Sequence, residues 1–206
     1  MSPGATMERV YLELKARVLA GRYPPGSRLE PAQLATSLGA SATPVRDALH
    51  RLAGERLIES WHQEGFRQPM LAEADLCDLY RWTAMLLTHA LKGRTPHQVA
   101  GGLFELAEHA GYAEAAESLF RTIAIGADNR ELRGALVNAV ERTRILRTAE
   151  ARVDGVSREL LAAMEEDYRF GRWTGLRSKI TSFHRRRVGQ AGRIAAELRP
   201  RRDPLR

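Results

Sequence analysis

The stretch from Leu38 to Leu57, LGASATPVRDALHRLAGERL, places the strongest constraint on the fold of this chain. Gly39 can turn the chain sharply after a short helix that ends at Leu38, because glycine carries no Cβ. Ser41 or Thr43 can then cap a second helix with a side-chain oxygen. The stretch therefore predicts two short helices joined by a tight turn.

The second of these helices has two different sides. Its apolar residues recur at helical spacing and form one stripe, which predicts a buried side. This stripe consists of Val45, Ala48, Leu49, Leu52 and Ala53. The other side carries Arg46, His50 and Arg51. A helix with one buried side and one basic side fits the major groove of DNA, so the pattern predicts a helix-turn-helix.

Several of these polar residues also have a purely structural interpretation. Thr43 can serve only as a helix cap, and His50 and Arg51 can be ordinary solvated residues. Arg46 is the strongest candidate for a DNA contact, because it lies in the first turns of the helix and off the apolar stripe.

The residues after this helix predict a small β-hairpin. Residues 57–61 form its first strand, the turn lies around residues 63–65, and the second strand starts at Phe66. A hairpin beside a helix-turn-helix is a wing. Its tip can rest on the DNA backbone or minor groove through Gln63, the Gly65 N–H group and Arg67.

Residues 8–68 resemble the N-terminal domain of the GntR family of bacterial winged-helix regulators. The matching residues are Gly21, Pro25, Gly26, Leu29, Leu34, Ala35, Leu38, Gly39, Ser41, Thr43, Pro44, Val45, Arg46, Ala48, Leu49, Leu52, Leu57, Gly65 and Phe66. The resemblance implies that Ser41, Thr43 and Arg46, with the wing tip near Gly65, touch operator DNA. Ala42 stands where the family usually has Arg, so the base preference of relatives does not carry over.

Pro69 marks a boundary, because it removes a backbone donor and favours an extended linker. The chain beyond it reads as helices with short connections, which predicts an antiparallel bundle. The predicted helices span residues 74–91, 95–110, 129–147 and 157–170, with two more at 113–125 and 174–198. We therefore predict a mainly α protein with a winged helix-turn-helix at 8–68, a helical domain at 73–198 and a basic tail at 199–206.

The helical part resembles, more weakly, the FCD domain of the FadR branch of the family, through AEADLCDLYRW, SLFRTIAIGADNREL and GRWTGLRSKITSFHRRR. Many such domains hold a metal with an Asp, a His four residues later and two further His. The matching positions here are Glu117, Arg121, Leu161 or Ala162, and His184. Arg cannot ligate a metal and its charge repels a divalent cation, so we predict no metal site and no cofactor.

Glu117 and Arg121 leave two interpretations open. Four residues apart on a helix, they can pair with each other. Alternatively, Arg121 takes over the positive charge of the metal and receives an anionic effector, with His184 and Tyr80 or Arg81 nearby.

Composition limits the remaining possibilities. The formal net charge is +7, and residues 177–206 carry ten Lys and Arg against two Asp and Glu. This basic end is either a solvated helix face with a frayed terminus or a segment that touches DNA phosphates. We expect a soluble cytoplasmic protein, because the sequence has one cysteine, no long apolar run and no signal-peptide pattern. We see no catalytic motif and do not expect an enzyme.

The sequence therefore predicts a transcription regulator that binds a near-palindromic operator as a homodimer, with the helical half forming the dimer contact. Repression is more common in the family than activation, so we expect a repressor, released in some conditions by a small effector. The alternative is a DNA-binding or architectural dimer whose helical half senses nothing.

Overall fold

The computed structural model describes residues 3–61, 65–95, 111–154 and 157–199. The chain forms two compact units that divide after Leu71. Both units are largely helical, and the described residues contain one small sheet of two antiparallel strands. This confirms the predicted mainly α fold class with a small hairpin.

The described residues of the first unit form three helices and a hairpin. Its elements are α1 (Pro3–Leu19), α2 (Pro31–Leu38), α3 (Ala42–Gly54), β1 (Glu59–Trp61) and β2 (Gly65–Arg67). Pro31 occupies the first turn of α2, where its missing N–H group costs nothing. Gly39 ends α2 in the left-handed region, with φ of 56°. The predicted turn between the two helices is therefore present.

The core of the first unit is apolar and lies between α1 and α3. The predicted stripe on α3 is buried at Val45, Ala48, Leu49 and Leu52, while Ala53 is half-buried. The other fully buried contributors are Val10, Leu14, Val18, Leu29, Leu38 and Ile58. Burial of this stripe holds the opposite side of α3 towards solvent.

The hairpin is extended by a third segment of chain. The backbone N–H of Leu29 donates to the carbonyl of Phe66, and that of Gln68 donates to the carbonyl of Ser27, both at 2.9 Å. Within the hairpin, Trp61 lies opposite Gly65 in the register. Residues 62–64, which form the predicted tip, lie outside the described residues.

The second unit contains six described helices. They are α4 (Glu73–Ala90), α5 (Tyr112–Ile125), α6 (Arg130–Arg144), α7 (Arg147–Val153), α8 (Ser157–Arg169) and α9 (Trp173–Leu198). The predicted helix at 129–147 is shorter than expected, because the chain turns at residues 145–146 and starts the separate helix α7. The predicted helix at 95–110 lies almost wholly outside the described residues.

The interior of the second unit is not purely apolar. Its hydrophobic cluster joins α4, α5, α6, α8 and α9, around residues such as Leu87, Phe120, Leu136, Met164 and Ile180. Charged and ring-nitrogen side chains are also buried, at Arg147, Glu150, Asp154, His184 and Arg187. No helix in the described part of the chain is long and apolar enough to cross a membrane.

Candidate nucleic-acid interface

The start of α3 presents two exposed hydroxyl groups. Ser41 is the N-cap residue, with extended backbone angles, and its side chain makes no capping hydrogen bond. Thr43 follows in the first turn and is also exposed. Because neither hydroxyl is buried, both can donate to a phosphate or a base edge at this end of the helix.

An exposed polar stripe runs along α3 opposite its buried stripe. It contains Thr43, Arg46, Asp47 and His50, at spacings of three and four residues. Arg46 makes no hydrogen bond or ion pair with any residue of the described ranges. Asp47 was not among the predicted contacts, although its spacing from Thr43 and His50 signals the same face. The stripe combines the donors and acceptors that base edges require.

Arg51 was predicted to face DNA, and it is exposed but engaged with α1. Its Nη1 atom lies 2.9 Å from a carboxylate oxygen of Glu8, and its Nε lies 3.6 Å from Glu55. Its guanidinium also lies over the ring of Tyr11, 3.5 Å from the ring centre. These contacts hold the guanidinium against α1, at the edge of the exposed stripe.

His50 connects α3 to the wing. Its ring meets the ring of Phe66 edge to face, with centroids 4.9 Å apart and an interplanar angle of 77°. Gly65, at the start of β2, is exposed and has φ of 82°. Arg67 is half-buried, and Gln63 lies outside the described residues. His50 and Gly65 therefore share one side of the first unit.

An exposed polar stripe on a helix buried on its other side, next to a two-stranded hairpin, defines a winged helix-turn-helix domain. Residues 6–67 match the family profile described as "Bacterial regulatory proteins, gntR family". This part of the chain is therefore similar to the DNA-binding domain of that family.

Curated relatives match parts of this chain. A probable D-xylose utilization operon transcriptional repressor of Paenarthrobacter nicotinovorans is 30% identical over 141 residues, which are 65% of this chain and 59% of that protein. The regulator McbR of Escherichia coli is 32% identical over 92 residues, 43% of this chain and 42% of that protein. The chain thus matches less than two thirds of the length of each. These relatives are regulators and not enzymes, as expected.

Solved structures show the same fold. A GntR-type regulator from Rhodococcus sp. RHA1 superposes with a TM-score of 0.76 at 17% identity, over 91% of this chain and 97% of that one. The structure titled "E. coli McbR/YncC" gives 0.64 at 21% identity, over 90% and 96%. Assignment of the helical unit to the FadR branch and the FCD domain stays a prediction.

The predicted effector residues are not gathered in one place. Tyr80 and His184 are buried, with ring centroids 6.5 Å apart. Arg81 and Arg121 are exposed. Glu117 is half-buried, and a carboxylate oxygen lies 3.0 Å from Nη1 of Arg144 on α6. The expected partner of Glu117 was Arg121, whereas the described contact joins α5 to α6.

The residues around His184 do not fit the metal that the FCD resemblance implies. Its Nδ1 lies 2.9 Å from the carbonyl of Ile180, and its buried Nε2 has no partner among the described residues. Burial and the charge of Arg147 lower the pKa of His184 to about 4. Arg187 adds a second buried positive charge, and two guanidinium groups oppose binding of a divalent cation.

A buried ionic cluster next to His184 was not predicted. It consists of Tyr80, Tyr112, Arg147, Glu150 and Arg187. A signal was present in α9, where Arg187 continues the buried spacing of Ile180, Phe183 and His184. Arginine side chains are usually exposed to solvent, so the sequence alone favoured an exposed Arg187.

Proposed function

We propose that this protein is a DNA-binding transcriptional regulator, acting as a repressor, that binds a near-palindromic operator as a homodimer. The observation that carries the proposal is the exposed stripe of α3, with Arg46 unpaired in the described ranges and hydroxyl groups at the helix start. One of the relatives is described as a probable repressor of a D-xylose utilization operon, which supports repression over activation.

In the proposed complex, α3 lies in the major groove. Arg46 donates two hydrogen bonds to a guanine edge or to a phosphate, and Ser41 and Thr43 contact the backbone near the helix start. His50 and Arg51 extend this contact along α3. The wing reaches the neighbouring backbone or minor groove through Gln63, Gly65 and Arg67.

The proposed dimer contact lies in the helical unit. Trp82 and Met85 on α4 are 43% and 53% exposed, and they share a helical face with Asp78, Arg81 and His89. Large exposed apolar side chains with flanking charges are typical of a protein contact, and a second copy can pair Arg81 with Asp78 about a two-fold axis. Such an axis matches the symmetry of a palindromic operator.

An anionic effector remains part of the proposal, with Tyr80, Arg81, Glu117, Arg121 and His184 as its candidate residues. The second candidate function is an effector-independent DNA-binding dimer. It is supported by Glu150, whose carboxylate already occupies the buried donors of the helical unit. Thermal unfolding with a panel of organic acids, with and without zinc, distinguishes the two, because only the first gains stability on ligand addition.

Genomic selection of bound DNA followed by gel-shift titration tests the proposal. We expect Arg46→Ala to lower affinity for the selected sequence by about 5- to 150-fold, the value of a good bidentate contact. Charge reversal in Arg46→Glu is expected to abolish binding. Arg130→Ala, an exposed arginine at the start of α6, is the matched control and leaves affinity unchanged. Unaltered affinity in Arg46→Glu would remove the assignment.

A further inference from the structure

One carboxylate joins four helices inside the second unit. Glu150, on α7, is fully buried. Its Oε1 accepts from the hydroxyl of Tyr80 on α4 at 2.8 Å, and its Oε2 accepts from the hydroxyl of Tyr112 on α5 at 2.7 Å. Arg147 on α7 donates to both oxygens, at 3.1 and 2.9 Å. Arg187 on α9 lies 3.6 Å from Oε2.

This set of donors has the composition of a carboxylate-binding site. Two guanidinium groups supply charge, and two phenol hydroxyls supply directed hydrogen bonds to opposite oxygens. The donors are also held by other contacts. Nη2 of Arg147 donates to Thr143 at 3.0 Å, and Nη2 of Arg187 donates to the hydroxyl of Tyr112 at 2.7 Å. These two contacts help to hold the side chains of Arg147 and Arg187 in place without Glu150.

The charge balance shows why a carboxylate is required there. Asp154 pairs with Arg187 and also with the half-exposed Arg186. Its single negative charge is therefore not enough to balance the two buried guanidinium groups of Arg147 and Arg187. Burial raises the pKa of Glu150, but the positive charges of Arg147 and Arg187 outweigh it and the net pKa is lowered. Glu150 is therefore an anion at neutral pH. Without it, two buried positive charges would lose their main partner, which is strongly destabilising.

We infer that Glu150 acts as a built-in ligand: its side chain fills a carboxylate-binding site formed by Tyr80, Tyr112, Arg147 and Arg187. The site draws α4, α5, α7 and α9 together without any added molecule. While Glu150 holds these donors, including the hydroxyl of Tyr80, an anionic effector would have to bind through the exposed candidates Arg81 and Arg121. The inference goes beyond the proposed DNA binding and does not depend on it.

Chemical rescue tests this assignment. Glu150→Ala removes four heavy atoms, two carbons and two oxygens, and acetate consists of the same four heavy atoms. We expect Glu150→Ala to unfold at a lower temperature than the wild type in sodium chloride. Replacing chloride by about 0.1 M acetate at constant ionic strength should raise the melting temperature of the variant by several degrees, since a ligand that binds only the folded state stabilises it.

Two comparisons separate this effect from general salt effects. Acetamide has nearly the shape of acetate but no charge, and it should leave the melting temperature of Glu150→Ala unchanged. Asp167→Ala removes another buried carboxylate, one that pairs with the half-exposed side chains of Arg172 and Lys179, and it should show no acetate response beyond that of the wild type.

The acetate and Glu150→Gln experiments each either support or overturn the assignment of Glu150 as a built-in ligand. If Glu150→Ala is unfolded in chloride, its folded fraction measured by circular dichroism should rise in acetate, and Glu150→Gln should fold with a lower melting temperature than the wild type. No gain in acetate, an equal gain in acetamide, or a Glu150→Gln chain as stable as the wild type would overturn it. A wild-type chain stabilised by acetate as much as the variant would overturn it as well.

Discussion

The guanidinium of Arg51 lies over the ring of Tyr11, 3.5 Å from its centre, and so ties α3 to α1. Glu55, the C-cap residue of α3, accepts a hydrogen bond from the Tyr11 hydroxyl at 2.6 Å. Lys15 of α1 lies 2.9 Å from the same carboxylate. The helix that carries the exposed stripe is thus held in place by a polar cluster as well as by its buried stripe.

We predict that Arg51→Ala acts more on stability than on DNA binding. A cation–π contact and exposed ion pairs each contribute up to about 1 kcal/mol, so the variant should lose about 1 kcal/mol of stability in the first unit. Hydrogen exchange followed by mass spectrometry resolves that unit and measures the loss. Arg46→Ala is the comparison: it should exchange like the wild type and bind operator more weakly than Arg51→Ala. The reverse order would place Arg51 as the main DNA contact.

The wing offers a prediction about backbone conformation. Gly65 has φ of 82°, and a Cβ at this position would meet no atom of the described residues within 4 Å, so conformational strain is the main cost of a side chain there. Gly65→Ala should therefore cost about 1 kcal/mol. Gly54, in the last turn of α3, also has open space but does not have positive φ. Gly54→Ala should stabilise the unit by up to about 1 kcal/mol. Equal effects from the two substitutions in urea unfolding would contradict this reasoning.

Much of the first unit follows from local rules. Pro31 and Gly39 mark the two ends of α2, and the apolar spacing from Val45 to Leu52 gives the buried side of α3. Such signals depend on neighbours in sequence, which is why they are readable without a structure. The contacts of Arg51 are different, since Glu8 lies 43 residues away along the chain. Spacing on α3 alone does not show them.

The second unit was less predictable for a related reason. The break after Arg144 has no proline or glycine, and it rotates α7 so that Glu150 enters the core. A buried carboxylate is stable only with partners. Arg147 lies on the same helix, but Tyr80, Tyr112 and Arg187 lie on other helices, and their proximity to Glu150 is a property of the packed bundle. Local charge patterns instead favour solvent exposure.

Metal addition and removal provide a further prediction. Because Arg147 and Arg187 place two positive charges beside His184, we expect zinc and EDTA to leave the melting temperature and the operator affinity of the wild type unchanged. Differential scanning fluorimetry and gel shifts measure both quantities. A loss of stability on EDTA treatment that zinc restores would show that the helical unit holds a metal after all.

His184 predicts how stability depends on pH. Its ring faces Tyr80, Arg147, Glu150 and Arg187, and burial lowers its pKa from 6.5 to about 4. Between these values the unfolded chain binds a proton that the folded chain does not, so stability is complete above pH 6.5 and falls as the pH drops towards 4. The full loss is about 3 kcal/mol. Protonation of Glu150, whose pKa is also lowered, takes effect only below 4.5.

Urea unfolding between pH 7.5 and 4.5 measures this dependence. His184→Gln keeps a polar side chain but no titratable group, so we expect lower stability at pH 7.5 and a flatter profile between pH 6.5 and 4.5. His89→Gln removes an exposed histidine from α4 and should keep the wild-type profile. A buried neutral His184 explains the acid sensitivity only if its removal flattens the pH profile. If His184→Gln instead loses stability with falling pH as steeply as the wild type does, the acid sensitivity arises from other groups.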